Sequence, residues 1–373
     1  MRKKLLYLLV ALGCLFLLWG CGGGGEESWI PSNYFALVVG VDSSYQSGNL
    51  STLDLSDESF AVQKSVVSNL SGDTIVKTFK NYAFIVERPS WGTEPSPVKS
   101  YDIATGTWEN PLKEYSLGRN VYDIAFVDEN TAYAIPWGES YIQKINPITG
   151  DETKKIDLSS YSYGQDGSPN AAKGLVVGGK LFVILQRFDA ETFDYATGTV
   201  VVIDLNSDEI SRSVTLSGKN PNDIDYYQGK FYIVESGKLY DPSDDFIEVI
   251  TPSNYDVQVK SVAPLQEEGM DVYSLEITEE GKAYLLGGGW PSYKVFEYDI
   301  STGEVGNSIY TGGYITAIKY DPYSGYLFIL DRGSGEGNGK VVIYDTHSNE
   351  ILREISEEEI GYPPYSIDIL ASN

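Results

Sequence analysis

Nine residues combine the side-chain types that most often carry ligand recognition: Arg88, Trp91, Arg119, Trp137, Arg187, Lys219, Trp290, Tyr293 and Arg332. Guanidinium and ammonium groups take carboxylates or phosphates, flat aromatic rings take apolar faces, and the two together are enriched at binding hot spots. Most of the nine fall in polar, Gly- and Pro-rich stretches: RPSWGTEPSP (88–97), PWGES (136–140), RFDAETFDYATG (187–198), GGGWPSY (287–293) and RGSGEGNG (332–339). Arg119 and Lys219 sit in the matching contexts Gly-Arg-Asn and Gly-Lys-Asn. The opposing reading is that the tryptophans pack between neighbouring elements and the basic residues pair with local Asp or Glu. In DPSDD, Asp241, Asp244 and Asp245 are weak candidates as oxygen ligands for a Ca²⁺ ion. The stretch lacks the ordered alternation of a dedicated calcium loop, so an exposed acidic turn stands against that reading. No other cofactor is expected, and no catalytic residue is assigned.

A recurring turn shows what must position these residues. An apolar strand ends in Asp or Asn and is followed by a Thr, Ser or Gly turn, at LDLSDE, YDIATG, INPITG, IDLNSD, ITPSNY, YDISTG and YDTHSN. The anchors Asp54, Asp102, Asn146, Asp204, Thr251, Asp299 and Asp345 are 44 to 58 residues apart. An Asp or Asn side chain bonds backbone amides two or three residues on, and a following Gly or Asn tolerates positive φ. Each anchor is preceded by runs such as KLFVILQ (180–186), KFYIVES (230–236) and YLFILDR (326–332), and earlier by first strands such as YDIAFV (122–127) and NDIDYY (222–227). Four short strands per repeat, seven times over, predict an all-β seven-bladed β-propeller. No 3.6-residue periodicity of any length follows Trp19. The first copy begins at a second strand, YFALVVGV (34–41), and the last is followed by an orphan first strand in YPPYSIDIL (362–370). Residues 365–370 are therefore expected to complete the blade begun by Tyr34–Val41, which abolishes the free edge. This makes 33–373 one propeller domain.

GKNPNDIDYYQGKFYIVESG (218–237) and VIDLNSDEISRSVTLSG (202–218) resemble the YVTN-type surface β-propellers. Pro221, Phe231-Tyr232-Ile233-Val234 and Val202-Ile203-Asp204 carry the resemblance, which covers about 34 to 373 in degenerate repeats. It implies the architecture and leaves the activity open, since one propeller fold hosts many functions. In such folds the loops from second to third strands and from fourth to first strands share one face around the central channel, where the nine residues would gather.

His347 is the one histidine, in a turn between third and fourth strands on the opposite face. It cannot serve as a base at the channel, and no Ser-His-Asp or histidine-metal constellation can form. Propeller lyases resembling virginiamycin lyase need a channel-mouth histidine, and the chain departs from them. Propeller lactonases use a carboxylate-bound metal, and Asp123, Asp223, Asp225 and Glu276 on first strands leave a metal-dependent hydrolase or lactonase open. A divalent ion held by three or more channel carboxylates would favour the enzyme. A channel of Ser, Tyr and Ala beneath an aromatic rim would favour a binding module for protein or glycan, which is the reading adopted.

The N-terminus provides an address. Arg2-Lys3-Lys4 precedes the apolar run Leu5–Trp19, which is shorter than a bilayer-spanning helix needs. Leu18, Gly20 and Cys21 resemble the lipobox of bacterial lipoprotein signal peptides; Trp19 departs from it, and Cys14 is a second candidate. The resemblance implies a signal peptide at 1–20, lipidation of Cys21, a flexible tether over 21–32, and a membrane-anchored lipoprotein at the outer membrane or cell surface. Cys14 and Cys21 are the only cysteines, so no disulfide framework or Cys-based zinc site can form in the body. The net charge of −26 becomes −29 without Arg2, Lys3 and Lys4 and repels nucleic acid and anionic head groups. A monomeric body is expected, anchored only through its lipid.

Overall fold

Second strands such as Phe231-Tyr232-Ile233-Val234 read as unbroken apolar runs because both of their faces are covered. The computed structural model of the chain describes residues 31–372 apart from Gly106, Asp166 and Glu336 and the Trp91 side chain. The expected signal peptide at 1–20, Cys14, Cys21 and all but the end of the expected tether over 21–32 lie outside the described residues. The strands form seven four-stranded antiparallel sheets, with a small extra hairpin pairing Phe188–Asp189 with Asp194–Tyr195. Successive sheets face each other across seven apolar clusters, one per neighbouring pair. One example joins Phe182 and Ile184 of blade 4 to Phe231 and Ile233 of blade 5.

The ring closes as the orphan strand requires. Pro364–Ser372 pairs antiparallel with Asn33–Val41, placing Leu370 opposite Phe35 and Ile367 opposite Val38. It becomes the innermost strand of blade 1, beside Ser47–Asp54 and Val62–Ser71. The other innermost strands are Thr74–Phe79, Val121–Asp128, Ala171–Val177, Pro221–Tyr227, Asp271–Ile277 and Ile315–Asp321. Each touches the innermost strand on either side, and the seven together enclose the channel.

The turn chemistry behaves as the repeat implies. Asp54, Asp102, Asn146, Asp204, Asp299 and Asp345 each accept a hydrogen bond from the backbone N–H two residues on. At the degenerate copy, the Thr251 carbonyl takes over and accepts from the N–H groups of Asn254 and Tyr255. His347 lies in the last of these turns, beside Glu280 and Asp345.

Innermost strands of neighbouring blades splay apart and cannot share a backbone ladder, so side chains bridge them. Asp368 Oδ2 accepts from Thr78 N–H at 2.8 Å, Asp123 Oδ2 from Gly174 N–H at 3.0 Å, and Asp225 Oδ2 from Ile277 N–H at 2.9 Å. Asp223 Oδ2 accepts from Leu275 N–H at 3.1 Å and Ser274 Oγ at 2.6 Å, and Glu276 Oε2 accepts from Tyr320 N–H at 3.1 Å. Lysines join two of the remaining gaps, and between blades 7 and 1 Thr316 Oγ1 donates to the Pro364 carbonyl at 3.4 Å. Lys77 pairs with Asp123 at 2.5 Å, and Lys173 pairs with the other oxygen of Asp223. Two relays of the same form result: Lys77–Asp123–Gly174 and Lys173–Asp223–Leu275.

Replacing Asp223 by Ala strips the partner from the Leu275 amide and leaves the Lys173 ammonium without its counter-ion. We expect the variant to lose about 3 kcal/mol of stability in chemical denaturation. An unchanged unfolding midpoint would show that the relay contributes nothing.

Candidate binding site at the channel mouth

A β-bulge interrupts the innermost strand in six of the seven blades, close to the end where the chain enters from the preceding blade. A bulge leaves one residue outside the ladder and re-aims its side chain. The residues so displaced are Tyr365, Tyr122, Ala172, Asn222, Tyr273 and Thr316, in blades 1 and 3 to 7. Blade 2 has no bulge there. Its contribution is Arg88, whose guanidinium lies 4.8 Å from the Tyr122 ring on one side and donates to Tyr365 Oη at 3.3 Å on the other.

These residues and their neighbours form a continuous ring around the mouth. Trp137 stacks on Tyr122 at 5.7 Å and donates through Nε1 to Gln186 at 2.7 Å. Gln186 donates to Asn222 Oδ1, and Asn222 donates to the Tyr273 carbonyl. Tyr273, Tyr293 and Tyr314 follow at ring spacings of 5.9 and 5.2 Å. Tyr45 then meets Tyr365 at 6.2 Å, with the Arg332 guanidinium 4.7 Å from the Tyr45 ring. Burial pushes the Tyr314 hydroxyl up to about 12 and raises those of Tyr122, Tyr273 and Tyr365, so all four remain protonated donors at neutral pH.

The nine residues read from the sequence divide into three groups. Arg88, Trp137, Tyr293 and Arg332 join this ring. Arg119, Arg187 and Lys219 are held by local partners: Arg119 by Glu139 at 2.8 Å, Lys219 by Asp194 at 3.0 Å, and Arg187 by the carbonyls of Tyr161 and Thr197. Arg88 is also ion-paired, to Asp73. Trp290 stands clear of the ring on its loop, 71% exposed, with Tyr240 at 89% on the neighbouring blade and Phe193 at 66% on the next. Trp91 belongs to a short helix, Pro89–Gly92. The bulge residues themselves are the part that the sequence reading missed; their only signal is one residue too many between the blade entry and the paired strand.

Below the mouth the channel wall is the lattice of lysines and carboxylates, not a wall of Ser, Tyr and Ala. Burial opposes the charge of Lys173, but Asp223 outweighs it and holds the ammonium's pKa above its usual value. Burial likewise opposes ionisation of Asp223, and Lys173 with the Ser274 and Leu275 donors brings its pKa below the usual range. At Asp225 and Glu276 burial wins, pushing Glu276 up to about 6 against the pull of Lys319.

The three weak metal candidates have different partners. Asp241 accepts from Ser243 Oγ and Asp244 from Lys238 N–H within their own loop, whereas Asp245 accepts from Val272 N–H on the innermost strand of blade 6. Among the described residues no group of three or more His, Cys, Asp and Glu side chains is arranged to hold a metal ion. Asp245 is fully buried, near the buried Glu235, Glu248 and Asp271, and each of the four has at least one carboxyl oxygen without a hydrogen-bond partner. Burial pushes Asp245 up to about 8 against the Val272 bond, and burial together with Glu248 raises Glu235 well above the carboxylate range. Asp245 therefore holds its proton at neutral pH, and burial shifts Glu235, Glu248 and Asp271 in the same direction.

No protein-family model matches the chain, and no curated protein matches it in sequence. Solved structures do resemble it. A Lactobacillus plantarum protein is 12% identical with a TM-score of 0.64, covering 90% of this chain and 99% of its own. The periplasmic gluconolactonase PpgL of Pseudomonas aeruginosa is 13% identical with a TM-score of 0.59, covering 91% and 99%. A Bacteroides uniformis protein provisionally assigned as a 6-phosphogluconolactonase is 9% identical with a TM-score of 0.59, covering 91% and 100%. Identities this low establish the shared propeller fold alone.

Acids that bind protons more tightly when folded stabilise the fold below the ordinary carboxyl range, and that contribution is lost as pH rises through the folded pKa. The melting temperature should therefore fall as pH is raised from about 5 to about 9, through the value near 8 for Asp245, and Asp245→Asn should flatten the decline. A melting temperature that climbs over this interval would contradict the protonated cluster.

Proposed function

We propose that the protein is a lipid-anchored cell-envelope binding module whose ligand, a protein or glycan, is taken by the aromatic and arginine-bearing face at the channel mouth. One observation carries this reading. A bulge repeated in six blades turns Tyr, Asn and Thr side chains toward the mouth, where they meet Arg88 and Arg332 in one ring. Bulges do not improve pairing, so their recurrence at one level is a device for presenting side chains. The exposed Phe193, Tyr240 and Trp290 extend the face outward with rings available to a partner. In the same reading residues 1–20 are a signal peptide, Cys21 carries the lipid, residues 21–32 are the tether, and the repeats are of YVTN type.

A metal-dependent lactonase is the second reading, favoured by the names of two similar structures and by the acids Asp123, Asp223, Asp225 and Glu276 in the channel. Against it, each of those carboxylates already bonds a neighbouring blade's amide. Hydrolysis of a gluconolactone that requires a divalent ion and is lost in Asp225→Asn would favour the enzyme.

Two measurements test the binding reading. Tyr240 and Trp290 are the most exposed rings of the face, so the double variant Tyr240→Ala/Trp290→Ala should fold normally yet retain less partner in affinity capture from envelope extract. Equal recovery would remove these rings from the contact. Labelling with a fatty-acid analogue should mark the wild-type chain and fail on Cys21→Ser; label on the variant would displace the anchor.

A further inference from the structure

The closing blade differs from the others in how its mouth residue is held. Tyr365 is approached from both sides by arginines at matching places, each directly after the second strand of its blade: Arg88 after Tyr82–Glu87 in blade 2 and Arg332 after Tyr326–Asp331 in blade 7. Arg88 donates to Tyr365 Oη, and the Arg332 guanidinium lies 5.8 Å from the Tyr365 ring. Beside Arg88 and Tyr365 is a cavity of about 320 Å³ at the innermost strands of blades 7, 1 and 2, lined by Arg88, Tyr314, Thr316, Tyr365 and Ser366 with four apolar residues of those strands; Arg332 stands outside its lining.

The two charges are not equally balanced. Arg88 is paired with Asp73, as Arg119 and Arg353 are paired with Glu139 and Glu359. Arg332 is 6% exposed and donates only to main-chain carbonyls, Pro363 O at 3.2 Å and Asp42 O at 3.1 Å. Among the described residues it forms no ion pair, in a chain with 53 acidic residues and 27 Lys and Arg. Its neighbour Asp331 is turned away, accepting from Tyr310 Oη and from the N–H groups of Gly313, Tyr314 and Gly333. A buried cation without a counter-ion is unfavourable unless something supplies the opposite charge. Tyr45 and Tyr365 offset part of that through their ring faces.

We infer that the cavity beside Tyr365 binds a small organic oxyanion, of which a sugar carboxylate or sugar phosphate is the fitting size, with its anionic group facing Arg88 and its charge completing that of Arg332. The inference rests on the binding-module reading and names the ligand class for one part of that face. The volume is at the small end of ligand pockets, matching a monosaccharide better than a polymer. Thr316 Oγ1, which donates to the Pro364 carbonyl, and Ser366 Oγ, which accepts from Val76 N–H, line the cavity with further hydrogen-bonding capacity for a hydroxylated ring, and Tyr314 and Tyr365 provide the aromatic surface. Arg332 acts from behind Tyr45 and Tyr365 as a positioning residue that sets the local potential.

Isothermal titration of the full chain at low salt tests this with three probes: D-glucuronate, D-glucose 6-phosphate and neutral D-glucose. Binding of at least one oxyanion is expected, weakened by added salt, with D-glucose bound far more weakly. Which of the two oxyanions binds more tightly separates carboxylate from phosphate. Arg332→Gln should weaken the oxyanion about tenfold, and Arg332→Lys, which keeps the charge, should restore most of it. A purely structural Arg332 would lower the melting temperature in both variants without distinguishing the probes. Should Arg332→Gln lack a native melting transition, Arg332→Lys and Tyr314→Phe carry the test, the second by losing affinity in a folded protein. D-glucose binding as tightly as the oxyanions, unchanged oxyanion affinity in folded Arg332→Gln, or no oxyanion binding up to about 20 mM would overturn the inference. If the oxyanions fail while Tyr240→Ala/Trp290→Ala still loses its captured partner, this cavity assignment falls and the binding-face reading stands.

Discussion

Everything in this propeller depends on how its innermost strands satisfy their outward amides. Seven strands around a channel diverge too far to pair with one another, yet their N–H groups face a confined space where an unmet donor is costly. The chain solves much of this with carboxylates that reach across four of the seven gaps: Asp368 to Thr78, Asp123 to Gly174, Asp223 and Asp225 to Leu275 and Ile277, and Glu276 to Tyr320. So many acids in one channel would repel one another, and Lys77, Lys173 and Lys319 are interleaved to answer them. The acids that look like catalytic or metal-binding groups in the sequence are thereby the fastening of the ring.

Function and fastening are separated by depth. The same innermost strands that carry the bridging acids carry, nearer the mouth, the bulged residues that form the ring of aromatic and polar side chains. A bulge permits this because it moves one residue out of the ladder while the residues beyond it keep their register and their bridges. Tyr122 is displaced while Asp123 still reaches Gly174, and Asn222 is displaced while Asp223 still reaches Leu275. The closing blade follows the same rule, with Tyr365 displaced above Ser366 and Asp368. Its position is also where the first and last described strands pair, and Arg332 bonds the carbonyls of Asp42 after one and Pro363 before the other. The ring of side chains at the mouth and the closure of the propeller thus share one arginine.

The architecture was legible in the sequence to a fine level because its signals are local. The Asp or Asn turn closes on amides two or three residues away, the doubly covered second strands show as apolar runs, and the orphan YPPYSIDIL advertises the missing strand of blade 1. The site was half legible. Aromatic and basic residues in the loops pointed to one end of the channel, where Arg88, Trp137, Tyr293 and Arg332 do meet, but partner choice was hidden: Arg88 finds Asp73, Arg119 finds Glu139, and Lys219 finds Asp194, each 15 to 25 residues away. With 53 acids available, nothing in the linear order says which basic residues, Arg187 and Arg332 among them, bond main-chain carbonyls instead of carboxylates. The bulges were not legible, since a bulge is a mismatch of register between two strands and neither strand shows it alone. The buried group around Asp245 was read as an exposed turn because DPSDD looks like one, and only packing shows that Asp245 is enclosed while Asp241 is not.

The central claim is that this molecule works through the mouth face and that the opposite face is structural. A photo-crosslinking residue placed at Trp290, or separately at His347 on the far side, measures this most directly in intact envelopes. The account predicts a discrete adduct from position 290 that disappears when Tyr240 is also replaced by Ala, and none from position 347. An adduct from position 347 alone would contradict it.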